Sequence, residues 1–174
     1  MDGYRFLAIG EATAEKVRTT RKSPGYGHPV HAEIATGYGP CRLCLRDFHV
    51  GTDRRLLFTL DPFYGLEPFP LPGPVFIHEV ECDRYPEYGG FPEDLLAHDL
   101  TLVAYGRGRI QRAEERVANG GVEPTLERLL ALPDVDYVHV GHVGRLLRPA
   151  RRAGLRDPIR CSRERARRRY RRVG

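Results

Sequence analysis

Apolar and polar positions fall into short runs along the chain, and most of these runs have the two-residue period of a strand. Residues 4–9 alternate well enough to form a first strand. Residues 11–22 are rich in helix formers, opening on Glu11 and closing on Lys22, a charge order that suits the helix dipole. Residues 23–29 are turn punctuation, and residues 30–36 fit a short helix or a strand equally well. Residues 55–60 read as a strong strand. The next strand, residues 74–80, places Phe76, His78 and Val80 on one face and Val75, Ile77 and Glu79 on the other. Between them lies a loop over 61–74 with five prolines and its own aromatics, a composition typical of a lid or binding loop.

The second half continues in the same style. A turn-rich stretch over 83–92 leads into a short helix near 93–97. Residues 100–105 and 109–117 form a hairpin across 106–108, its second arm charged as an edge strand would be. Residues 123–132 form an amphipathic helix with Leu126, Leu129, Leu130 and Leu132 inward, and residues 135–140 form the last strand. Strands joined by turns, with two or three helices between them, predict a single α+β domain over residues 1–144 with a mainly antiparallel sheet.

Composition supports a folded domain. The chain has 174 residues, 41% of them hydrophobic, enough for a real core. No run of about 18 apolar residues offers a membrane span. Residues 1–5 lack the basic-then-apolar order of a signal peptide, and four cysteines are too few for a disulfide scaffold, so a cytoplasmic setting is expected. The net charge of +5 hides a division. Residues 145–174 hold 13 Arg against Asp157 and Glu164, a local +11, which leaves −6 on residues 1–144. The body should therefore repel phosphate. The basic tail, unable to bury a face, is expected to be disordered or a frayed helix. Its origin has three readings: an arm that binds nucleic acid through Arg167, Arg168, Arg169, Arg171 and Arg172, a solvated tail, or translation of a shifted reading frame.

The strongest chemical signal is Cys41-Arg-Leu-Cys44, behind the turn at Gly39-Pro40. Two thiolates at this spacing can grip one metal ion. His78 and Cys82, four apart, would point the same way on an extended strand, which gives a candidate zinc set of Cys41, Cys44, His78 and Cys82. The same cysteines also fit a redox dithiol or small buried apolar residues. On the last strand His139 shares a face with Tyr137, as a hydrogen-bonded pair or as a ligand contact, whereas His142 should face the other way. Asp47, His49 and Asp53 flank a turn and read as solvated. A second arrangement gathers Cys41, Arg42, His78, Tyr137 and His139 into one pocket under the proline-rich loop. There the Arg42 guanidinium would hold a small carboxylate or phosphate ligand. No phosphate loop, dinucleotide fingerprint or nucleophile elbow occurs, so no reaction is specified.

The ordered motifs Gly39-Pro-Cys-Arg-Leu-Cys-Leu-Arg46, Arg55-Leu-Leu-Phe, Leu71-Pro-Gly-Pro-Val-Phe-Ile-His78 with Cys82 behind it, and Leu129-Leu-Ala-Leu-Pro-Asp-Val-Asp-Tyr-Val-His-Val140 resemble the bacterial Domain of Unknown Function 1203 family. The resemblance covers about residues 4–140 and implies a compact cytoplasmic α+β protein with no assigned activity. It also marks Cys41, Arg42, His78, Cys82, Tyr137 and His139 as matching the family's motif residues. The family's last strand runs on through Gly-Cys-aromatic, whereas Gly141-His-Val-Gly-Arg145 stands here. That departure removes a further thiol and adds to the tail's Arg, Pro, Ala and Gly composition in favour of the shifted-frame reading.

Overall fold

A computed structural model describes residues 4–37, 39–62, 64, 72–118, 121–142, 145–147 and 149–151. The chain folds as an α+β domain with two antiparallel sheets. Strand β1 (Tyr4–Phe6) precedes helix α1 (Glu11–Thr20), and β2 (His31–Ile34), β3 (Arg54–Leu60) and β4 (Gly73–His78) follow. Then come α2 (Glu93–Leu96), β5 (Leu100–Tyr105), β6 (Gln111–Val117), α3 (Val122–Ala131) and β7 (Tyr137–His142). Two short strands, β8 (Arg145–Leu147) and β9 (Pro149–Arg151), come after the strand read as the last. The remaining tail residues, including the five candidate arginines at 167–172, lie outside the described residues, as do positions 63 and 65–71 of the proline-rich loop. No helix among the described residues is long and apolar enough to cross a membrane.

The smaller sheet has the order β2-β3-β4, and its register sets what meets what. Leu56 pairs with Ile77 and Phe58 with Val75, so one face is apolar. Ala14 and Val17 of α1 belong to the same buried cluster, which also takes in Cys41, Leu43, Cys44, Phe48 and Phe76. Arg55 pairs with His78 on the opposite face, and its guanidinium lies 3.9 Å from the ring centre of Phe76. A buried arginine is tolerable there because Glu33 takes its Nη2 at 2.7 Å and the aromatic face holds the cation. Residues 30–36, open between helix and strand in the sequence, contain β2, one of the two edge strands of this sheet.

The larger sheet has the order β1-β9-β7-β5-β6, with β8 also paired to β7. The alternation of β5 and β7 sends Leu100, Leu102, Ala104, Val138 and Val140 into a core with Val122, Leu126, Leu129 and Leu130 of α3. At the hairpin turn a side chain on Gly106 would collide with the carbonyl of Asp134, so that position needs glycine.

Strand β4 stops earlier than its apolar pattern suggests. It ends at His78, and the chain bends through Glu79 and Val80, leaving Val80 exposed. Val80 therefore does not continue the face of Phe76 and His78. The bend, rather than an extended strand, returns Cys82 to the side of His78.

Candidate metal centre

The segment at Cys41 docks on the free edge of β4. Cys41 bridges Phe76 in parallel fashion, and the Arg42 N–H donates to the Phe76 carbonyl at 2.8 Å. A tight turn follows, with Leu45 N–H bonded to the Cys41 carbonyl and Cys41 N–H to that of Arg46. This turn places Cys44 above Cys41, next to the end of β4. Cys41 and Cys44 are buried, and Cys41, Cys44 and Cys82 are all free thiols.

The donor atoms of Cys41, Cys44, His78 and Cys82 all lie within 4.8 Å of one another. Cys41 Sγ is 3.8 Å from Cys82 Sγ, and Cys44 Sγ is 3.5 Å from His78 Nδ1. A tetrahedral zinc ion with bonds of about 2.3 Å to sulfur and 2.0–2.1 Å to nitrogen has ligand–ligand edges of about 3.5–3.8 Å. Both contacts match those edges. Three thiols and an imidazole are also the donor set that selects zinc or iron by softness. The group could hold a metal ion.

Surrounding residues orient these donors. Nε2 of His78 lies 3.5 Å from Asp53 Oδ2, and that oxygen also accepts the His49 N–H at 2.8 Å. Arg18 on α1 donates from Nε to the His78 carbonyl at 3.1 Å and from Nη2 to Cys82 Sγ at 3.5 Å. Spacing marks neither Asp53 nor Arg18, and the sequence alone makes Asp53 a solvated turn residue. The one local clue was that Asp53 stands two residues before Arg55, the cross-strand partner of His78.

Protonation follows from this crowding. Hydrogen bonding with Cys41 holds the Cys44 thiol below its ordinary range, against burial and with help from the Arg46 N–H. Cys82 is pushed well up, first by its hydrogen bond with Cys41 and then by burial. Burial pulls His78 down, but its hydrogen bonds and charge interactions with Cys41 and Cys82 prevail and raise it to about 9. Asp53 is held low, chiefly by the His49 N–H.

The residues expected in one pocket divide between the two sheets. Cys41 and His78 join the cluster just described. Arg42 is buried beside them, and its carbonyl accepts the Ile9 N–H. Tyr137 and His139 are on β7 of the larger sheet, where they form an aromatic triangle with Tyr105, with ring centres 5.1–5.4 Å apart. An open cleft of about 730 Å³ adjoins the four donors and is lined in part by Cys44, His78, Cys82 and Asp53.

No curated protein and no solved structure matches the chain. A family model, described as protein of unknown function (DUF1203), matches residues 38–145 and so spans all four donors. The chain thus belongs to the DUF1203 family.

Proposed function

We propose that this protein is a metal-binding module that holds one zinc ion through Cys41, Cys44, His78 and Cys82. The observation that carries this reading is the convergence of four soft donors, from a turn, a strand end and a bend, within 4.8 Å. Buried thiols without partners of this kind ordinarily scatter among aliphatic side chains. The bound metal would neutralise the thiolates and fix the Cys41 turn against β4, which is the work of a structural zinc site with four protein ligands.

A pocket for a small anion is less well supported. The cleft beside the cluster is lined by six carboxylates (Asp47, Asp53, Glu81, Asp83, Glu93, Asp94) against two arginines, Arg46 and Arg84. That balance disfavours a carboxylate or phosphate guest.

Elemental analysis of the purified full chain tests the reading, with one zinc per chain expected. Cobalt substitution should give thiolate charge-transfer bands and the intense visible absorption of a tetrahedral site. Both signals should be lost in Cys44→Ser. A chain that takes up no metal, or a Cys44→Ser variant that binds as tightly as the parent, would overturn it.

A further inference from the structure

The three thiols of the centre are unequally sheltered. Cys41 is wholly buried and Cys44 nearly so, whereas Cys82 is partly exposed. Cys82 lines the cleft together with Cys44 and His78, and Cys41 lies behind them. The sulfurs of Cys41 and Cys82 are 3.8 Å apart, so a disulfide of ordinary length needs an approach of about 1.8 Å. Cys41 is poorly placed to supply that movement. It is bridged to Phe76, its N–H is bonded to the Arg46 carbonyl, and its sulfur accepts the His78 N–H at 3.4 Å. Cys82 is better placed, because residues 81–86 belong to no helix or strand.

We propose that Cys82 is the oxidation-sensitive corner of the centre, where a small peroxide entering the cleft links it to Cys41 and discharges the metal. The idea rests on the zinc reading above and adds its regulation. With zinc bound, Cys82 would be held as a thiolate; its sulfur attacks one peroxide oxygen, and the O–O bond breaks. The leaving hydroxide takes a proton from solvent as water, and Cys82 becomes a sulfenic acid. The Cys41 sulfur then attacks Cys82 Sγ. The S–S bond forms, the S–O bond breaks, and the second hydroxide leaves as water with another solvent proton. The two sulfurs lose two electrons and hydrogen peroxide gains them. Only Cys44 and His78 then remain as donors, half of a zinc site.

The test uses the zinc-loaded full chain in a Cys161→Ser background, so that the fourth thiol cannot exchange. Hydrogen peroxide should release one zinc per chain to a chromogenic chelator. Because Arg42 lies between Cys41 and Cys44, tryptic peptides distinguish the possible pairings, and the expected cross-link is Cys41–Cys82. Dithiothreitol with zinc should restore binding. Metal-free Cys44→Ser should still form the same cross-link. A Cys41–Cys44 bond, or zinc retained while thiols oxidise singly, overturns the inference and leaves the zinc reading intact. Absence of zinc from the untreated protein defeats the zinc reading instead, and the cross-link in metal-free protein then decides whether the thiol pairing stands.

Discussion

Asp53 Oδ2 and Cys44 Sγ sit at opposite nitrogens of the His78 ring, each 3.5 Å away, on Nε2 and Nδ1 respectively. In the proposed zinc site this arrangement would make Nδ1 the metal ligand and leave the ring proton on Nε2, beside the carboxylate. Asp53→Asn preserves an oxygen for the His49 N–H but removes the charge. Zinc affinity should fall by about 10–100-fold, read by competition with a chelator, while the far-UV spectrum stays the same. Unchanged affinity would remove Asp53 from the centre.

Acidity should govern loading. With His78 raised to about 9 and Cys82 also raised, the metal-free cluster carries protons at neutral pH that zinc must displace. Affinity should therefore climb with pH through the neutral range. Calorimetry in buffers of different ionisation heat should register proton release, and equal heats in all buffers would refute it.

Stability of the metal-free protein should move the other way. The folded value of His78, about 9, lies above its ordinary 6.5, so folding favours the protonated ring. That stabilisation is complete below about 6.5 and disappears as pH rises through about 9. Urea midpoints of the parent and of His78→Gln should converge across that window. A constant gap between them would show that the ring's charge plays no part.

Metal removal should soften the fold. Zinc bound only to the native state adds about 2.7 kcal/mol at 100 times the dissociation constant, so the melting temperature should rise with free zinc and fall with EDTA. Cys44→Ser should respond to neither.

The two cores should separate in mutagenesis. Leu129 packs beneath the larger sheet, whereas Leu56 shares the core of Cys41 and Cys44, and both are fully buried. Each change to alanine should cost about 2–5 kcal/mol in denaturant unfolding. Only Leu56→Ala should also weaken zinc binding, because Leu56 belongs to the buried cluster that contains Cys41 and Cys44 and Leu129 does not. Equal effects of the two changes on affinity would mean that the cores act as one.

What was legible in the sequence had a local cause. The period-two runs located β3, β4, β5 and β7, and the leucine spacing located α3, because alternation depends only on neighbouring residues. The Cys41–Cys44 pair and the His78–Cys82 pair were visible for the same reason. Partnership across the fold was not visible. Nothing local tells that β7 joins a different sheet from β4, so the sequence alone allows Tyr137 and His139 to share a pocket with Cys41. Arg18 reaches the centre from a helix whose polar face looks like any other solvated surface. The bend at Glu79 and Val80 was hidden because Val80 continues the apolar alternation of β4.

The four donors fall between residues 41 and 82, and β3 and β4 pair as sequence neighbours, whereas β1 joins the larger sheet through Tyr4 opposite Arg151. Contacts close in sequence form sooner than distant ones. On the ribosome, a nascent chain can therefore assemble its thiol cluster while the strand that will sit beside its first residues is still untranslated. The cell's supply of free zinc would then matter during synthesis as well as after it.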